Sequence, residues 1–135
     1  MIGPPTPEGA VASALLADAA VIWMTTVRPD GQPQSSPVWF VIDDGEFLIF
    51  SMPTPRIDNL GVNPRVSLNL DSNEGSDVVI VEGRARIVDK PSSADHPGYR
   101  EKYQRRIEQM GTTVDDFAAT YSIPIRVTPT RWRVY

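Results

Sequence analysis

Short runs of apolar residues recur along this 135-residue chain, and their periods distinguish strands from helices. Val21-Ile22-Trp23-Met24-Thr25-Thr26-Val27 is rich in β-branched and aromatic residues and stops at the turn Arg28-Pro29-Asp30-Gly31-Gln32, which predicts a strand. After Pro33 and Pro37, the run Val38-Trp39-Phe40-Val41-Ile42 predicts a second strand. Asp43-Asp44-Gly45 then turns it into a third, Glu46-Phe47-Leu48-Ile49-Phe50. Val66, Leu68 and Leu70 alternate with Ser67, Asn69 and Asp71, the pattern of a half-buried strand. A polar loop from Asp71 to Asp77 leads into a long strand from Val78 to Asp89. Its four leading apolar residues predict burial on both faces, and Gly83 predicts a bulge or a close backbone approach. Ile123, Ile125 and Val127 alternate again, and Arg131-Trp132-Arg133-Val134-Tyr135 continues that strand past a break at Pro129.

Helices separate these strands. Thr6 is placed to cap a helix with Pro7 at its first position and Glu8 near its positive end, running to about Ala17. Thr54 before Pro55 starts a short helix, and Asn63-Pro64 stops it. Tyr99, Tyr103, Ile107 and Met110 follow helical spacing up to Gly111, and a second short helix runs from Val114 to Thr120. Hairpins with helices inserted late predict an α+β fold built on a small antiparallel barrel, in one domain over residues 1–135.

Composition removes several chemistries. The chain has no cysteine, so thiol catalysis, iron–sulfur ligation and Cys-containing zinc sites are excluded. Its single histidine, His96, lies between Asp95 and Pro97 and reads as a surface-loop residue, and no metal is expected. The carboxylates of the Asp71 to Asp77 loop lack the terminal Glu of a calcium loop and read as a solvated turn. A net charge of -4 and a pI near 4.9 argue against nucleic acid as a partner. The apolar stretch from Ala10 to Met24 has no basic residue before it and is interrupted by Asp18, so neither a signal peptide nor a membrane span is expected, and the location is expected to be cytoplasmic. No G-x-G-x-x-G, G-x-S-x-G or phosphate-binding P-loop motif occurs, which sets aside Rossmann, α/β-hydrolase and P-loop enzymes.

One segment carries candidate chemistry. Ser51 and Thr54 place hydroxyls before a helix N-terminus, where unpaired N–H groups and the helix dipole favour an anion, and Arg56 adds a cation in the first turn. A cation there is disfavoured unless an anion accompanies it. The plainer alternative is a capped surface helix with Arg56 in solvent.

The order Pro29-Asp30-Gly31-Gln32-Pro33, Ser36-Pro37-Val38-Trp39-Phe40, the Asp44-Gly45 hairpin, Arg56, Asn59-Leu60 and Asn63-Pro64-Arg65-Val66 resembles one superfamily. It is similar to the pyridoxamine-phosphate-oxidase-like split β-barrel proteins, in particular the small deazaflavin-dependent reductases that use coenzyme F-420. The resemblance covers roughly Ala19 to Val88, with weaker echoes in the late helices and at Arg131-Trp132.

It implies a six-stranded antiparallel split β-barrel, a homodimer, and one elongated cofactor in each groove between subunits. It also implies a cofactor site of Ser36, Pro37, Val38 and Trp39 along the ring system, with Arg56, Ser51 and Thr54 holding the phosphate, and with Met52, Asn59, Arg131 and Trp132 also binding the cofactor. Many relatives carry Lys where this chain has Arg56, which keeps the charge and changes the geometry.

The implied activity is hydride transfer from reduced F-420 to a small electron-poor acceptor such as an activated C=C bond, with Tyr121 a candidate proton donor. FMN is the alternative cofactor, in an oxidase or reductase on the same barrel, and a non-enzymatic flavin or heme carrier is a further alternative. Alternation places one of Trp39 and Phe40 in the core and leaves open which. An acidic chain binding an acidic cofactor needs concentrated positive charge, so one or more of Arg65, Arg126, Arg131 and Arg133 are expected to line the groove.

Overall fold

A computed structural model describes residues 7–71 and 73–135. The expected cap at Thr6 lies outside them. Helix α1 spans Pro7–Asp18 and is followed by strands β1 (Ile22–Val27), β2 (Pro33–Val38), β3 (Val41–Asp43) and β4 (Glu46–Ser51). Helix α2 (Pro55–Val62), strands β5 (Arg65–Asp71) and β6 (Val78–Ile87), helices α3 (Pro97–Gln109) and α4 (Val114–Thr120), and strand β7 (Ile123–Val134) complete the order.

The seven strands form one sheet in the order β2-β1-β5-β6-β7-β4-β3, and every pairing in it is antiparallel. Its two edges, β2 and β3, are consecutive in the chain and separated only by Trp39 and Phe40. A flat sheet of this order would hold its edges roughly 29 Å apart at about 4.8 Å per strand. The link from Val38 to Val41 reaches no further than about 11 Å. The sheet therefore curls until its edges meet at this corner, and because β2 and β3 do not pair, the barrel stays split.

The run Val38 to Ile42 is accordingly not one strand, and the strands number seven rather than six. β2 begins at Pro33 despite its two prolines, because an edge strand can turn a nitrogen without a hydrogen toward the unpaired side. The hairpin at Asp44 and Gly45 takes φ values of 52° and 74°, which fit the Asp-Gly pair at that turn.

Two further expectations change in detail. In β6, Val79 and Val81 are fully buried whereas Val78 and Ile80 are only half-buried, so one face of the strand is covered and not both. β7 runs unbroken through Pro129, because the register shifts at Glu82/Gly83 and absorbs the proline at the bulge. A Cβ at Gly83 would lie 2.7 Å from Val127 Cγ1 and 2.8 Å from the Thr128 carbonyl oxygen, which is the close approach the glycine permits.

The barrel interior is one apolar cluster that includes Phe40, Phe47, Leu68, Val81 and Ile125. A second cluster lies outside the barrel wall, where Tyr99, Tyr103 and Ile107 of α3 and Phe117 of α4 cover Val41, Leu48 and Phe50. Among the described residues no helix is long and apolar enough to cross a membrane.

His96 is not a surface-loop residue. It caps α3, with Nδ1 accepting from the Tyr99 amide at 3.0 Å and Nε2 3.4 Å from Asp43 Oδ1, and its side chain is 14% exposed. Asp43 is also held by Arg126, whose guanidinium reaches Glu46 as well, and Arg86 completes the group by pairing with Glu46. These bonds anchor α3 to the β3–β4 hairpin and β7. They also hold both carboxyls below the usual carboxylate range, chiefly through Arg126 on Asp43 and Arg86 on Glu46.

Candidate functional site

The first turn of α2 fixes the polar end of the site. Pro55 is preorganised for the first helical position, and the preceding Thr54 is extended at φ -129°, so the helix starts abruptly after β4. Arg56 then points back toward the barrel corner. One guanidinium nitrogen donates to Ser51 Oγ at 3.0 Å and another to Ser36 Oγ at 2.6 Å, joining the ends of β4 and β2 to the helix. Ser51 Oγ itself donates to the Met52 carbonyl at 2.7 Å.

The corner is not satisfied. Arg56 Nε and Thr54 Oγ1 are buried and make no hydrogen bond among the described residues. Burial lowers the Arg56 pKa, and no carboxylate among the described residues pairs with it. The group stays charged, because guanidinium does not deprotonate in proteins. A partly buried cation facing the positive end of a helix is an arrangement that an anion would complete.

This corner opens into a cleft of about 330 Å³. Pro37, Val38 and Trp39 form one wall, and Phe50 and Met52 at the end of β4 form another. Tyr99 of α3 and Met110 just past its end, with Phe117 of α4 and Tyr121 just past its end, close the far side. Trp39 is half-buried and stacks on Tyr103 at 4.6 Å and on Phe117 at 5.4 Å, whereas Phe40 is wholly buried in the barrel. The alternative left open by strand alternation is thus resolved: Trp39 faces the cleft and Phe40 the core.

Tyr99 is 1% exposed, and its hydroxyl has no hydrogen-bond partner among the described residues. Burial pushes its pKa up, with Tyr103 and Tyr121 adding to the effect, so the group is a proton-bearing donor in search of an acceptor. The cleft therefore has a cationic, donor-rich end and an aromatic remainder, a combination that suits a ligand with an anionic group and a planar ring.

Eight of the eleven expected site residues gather here. Pro37, Val38, Trp39, Met52, Thr54 and Arg56 line the cleft, and Ser36 and Ser51 hold Arg56. The other three do not. Asn59 is 3% exposed and clamps α2 to the barrel, its amide donating to Thr26 Oγ1 and Gln34 Oε1 at 2.9 Å each. Arg131 is exposed near Glu82, and Trp132 packs beside Phe47 on another part of β7. Of the additional arginines, Arg126 is occupied by Asp43 and Glu46, while Arg65 and Arg133 are exposed away from the cleft. Arg56 is the cleft's cation among the described residues of this chain.

Sequence reasoning passed over Phe50, Tyr99, Met110 and Phe117. Their spacing is that of core faces, and Phe50, Tyr99 and Phe117 are indeed packed in the outer cluster, whereas Met110 is exposed. The available signal was Tyr99 itself, since a hydroxyl on an otherwise apolar helical face needs a partner that the face does not offer.

Comparison with known proteins gives one family and several solved structures. A family model described as pyridoxamine 5'-phosphate oxidase matches residues 10–134. A conserved hypothetical protein from Mycobacterium tuberculosis is similar at 24% identity over 93% of this chain and 82% of that chain, with a TM-score of 0.77. An F420 reductase is similar at 25% identity over 90% and 94% of the two chains, with a TM-score of 0.71. The heme storage protein HutZ from Vibrio cholerae shares the fold at 17% identity over 96% and 95%, with a TM-score of 0.67.

Proposed function

Because the chain belongs to the pyridoxamine 5'-phosphate oxidase family, we propose that it is an oxidoreductase whose cleft binds a deazaflavin of the coenzyme F-420 type. The observation that carries this reading is the Arg56 corner, a partly buried cation with an unpaired Nε beside an unpaired Thr54 hydroxyl, opening into an aromatic cleft. The F420 reductase, similar over nine-tenths of the chain, supports a deazaflavin as the occupant. Bound there, such a cofactor supplies a hydride from the central ring of its reduced form to a small electron-poor acceptor.

The residues of the chain bind, orient and exclude water. Arg56 and Thr54 donate to the cofactor's phosphate, and the Ser36 and Ser51 bonds hold the guanidinium in place for it. Trp39, with Phe117 stacked beside it, supplies a flat apolar wall for a ring system and keeps water from its face. Tyr99 offers one hydrogen bond to an acceptor atom of the occupant. Tyr121, also in the cleft wall, is placed to pass on a proton.

FMN is the second reading, because a phosphate corner would serve either cofactor. An oxidase acting on a phosphorylated pyridoxine would need a second anion site, and among the described residues the cleft lining holds one cation, Arg56. A heme carrier is disfavoured by the engagement of His96 with Tyr99 and Asp43, outside the cleft lining. Fluorescence titration with F-420, FMN and heme tests the choice. Tightest binding of F-420 supports it, and FMN binding at least tenfold tighter, a margin of about 1.4 kcal/mol, overturns it.

The same reading takes the chain as a homodimer. Trp23 is 48% exposed on the outer face of the barrel, opposite Pro37 and Asn69 on the neighbouring strands, a surface suited to a second copy. In a dimer, the exposed Arg131 would be available to the cleft of the other subunit. Light scattering at micromolar concentration is expected to give twice the chain mass, and a stable folded monomer would overturn the shared-cleft arrangement.

A further inference from the structure

We propose that Lys102 is a modification site: its side-chain amine takes acyl groups from small activated carboxylates such as acyl phosphates, and acylation there loosens the barrel corner that carries Trp39. The amine lies on α3 at the wall of an open pocket of about 530 Å³ that shares no lining residue with the cofactor cleft. Leu16 and Ala17 of α1 and Val41 and Ile42 of β3 give this pocket an apolar wall. Nζ donates to the Phe40 carbonyl at 2.9 Å and sits 3.9 Å from the centre of the Phe40 ring.

No carboxylate among the described residues forms an ion pair with Lys102. The charged groups facing it are Asp44, on the pocket lining at the β3–β4 hairpin, and Arg106, one turn along α3, while α1 presents only Ser13, Leu16 and Ala17. Burial first, and Arg106 second, bring its pKa down to about 8. The neutral, nucleophilic form of the amine is thus more accessible near neutral pH than for an ordinary lysine.

In the reaction, the lone pair of the neutral amine attacks the acyl carbon. The C–N bond forms, the C–O bond to phosphate breaks, phosphate leaves with the electron pair, and the ammonium proton passes to water. Nothing is oxidised or reduced.

The amide so formed carries no charge to place over the Phe40 ring, and its acyl group must fit where the ammonium lay. Phe40 is the last residue before β3, and its amide donates to the hydroxyl of Tyr103, on whose ring Trp39 stacks. Weakening the Lys102 bond therefore acts on the short link that closes the barrel. The proposal does not depend on which cofactor fills the cleft.

The chain's other lysine, Lys90, is exposed and serves as an internal control. The full chain is incubated with acetyl phosphate at pH 7.5, and acetylation at each lysine is followed by mass spectrometry. Lys102 is expected to react at least about fivefold faster than Lys90, with a rate that levels off above about pH 8 to 9. Hydrogen exchange across Pro37 to Val41 is expected to quicken at least threefold in the acetylated chain. Lys102→Arg, which keeps the charge, is expected to abolish labelling at that position and leave exchange unchanged. Equal or faster labelling of Lys90 overturns the site, and preferential labelling of Lys102 with unchanged exchange overturns its link to the Trp39 corner.

Discussion

Two buried tyrosines one helical turn apart on α3 should respond oppositely to the same substitution. Tyr103 is 1% exposed, and its hydroxyl accepts from the Phe40 amide at 2.9 Å and donates toward the Ala20 carbonyl at 2.7 Å. Tyr103→Phe removes the bond to Ala20 and leaves the Phe40 N–H without a partner. The Phe40 carbonyl keeps Lys102 as a donor, so it adds little to the loss. A buried unsatisfied N–H costs about 1 to 3 kcal/mol and a lost neutral bond about 0.5 to 1.5, so Tyr103→Phe should lose about 2 to 4 kcal/mol. For a chain of this size that is a fall in Tm of roughly 6 to 15 °C.

Tyr99 is equally buried, yet its hydroxyl bonds to nothing in the unliganded chain. Tyr99→Phe removes an unsatisfied polar group without opening a cavity, and should leave stability unchanged or raise it. Urea denaturation of the three proteins at pH 7, with equal m-values confirming a shared unfolding transition, measures both effects. A loss below about 0.5 kcal/mol for Tyr103→Phe, or above about 1 kcal/mol for Tyr99→Phe, refutes the assignment of one hydroxyl to the fold and the other to the ligand.

Arg56→Ala is expected to weaken cofactor binding by about 1.5 to 3 kcal/mol, roughly 10- to 150-fold, while denaturation shows little change. Gly83→Ala should destabilise by about 1 to 3 kcal/mol, because the added methyl meets a backbone carbonyl oxygen that cannot turn aside; calorimetry reads this directly. Asp43 and Glu46 have folded pKa values depressed by their guanidinium partners. Their contribution is thus complete above the ordinary carboxylate range and is lost as pH falls from about 4. Denaturation between pH 7 and pH 2 should show that decline, and Glu46→Gln should be less stable at pH 7 with a shallower acid limb.

Local signals in the sequence were dependable where the structure they specify is local. The Asp44-Gly45 turn needs only positive φ at two residues, and Gly111, at φ 85°, closes α3 just past its last turn. The bulge at Gly83 follows from a small residue in a long strand. The division of Val38 to Ile42 between opposite edges of the sheet was not legible, because only closure of the whole barrel requires it. Likewise, neither the pairing of His96 with Asp43 nor the capture of Arg126 can be read from neighbours in sequence, since Asp43 and Glu46 reach them across the fold.

The candidate site divides in the same way. The Ser51 to Arg56 segment is contiguous, and its hydroxyls and cation stand together as helix-start chemistry suggests. Asn59 belongs to the same helix, but helical rotation carries it to the inner face, where it clamps Thr26 and Gln34. The aromatic wall depends on where α3 and α4 settle against β4, which is a matter of tertiary packing.

The structure of the chain with F-420 bound tests the central claim most directly. The predicted result places the cofactor phosphate within hydrogen-bond distance of Arg56 and Thr54, with the ring system against Trp39. A complex whose phosphate lies away from Arg56, or whose ring leaves the cleft empty, would contradict it.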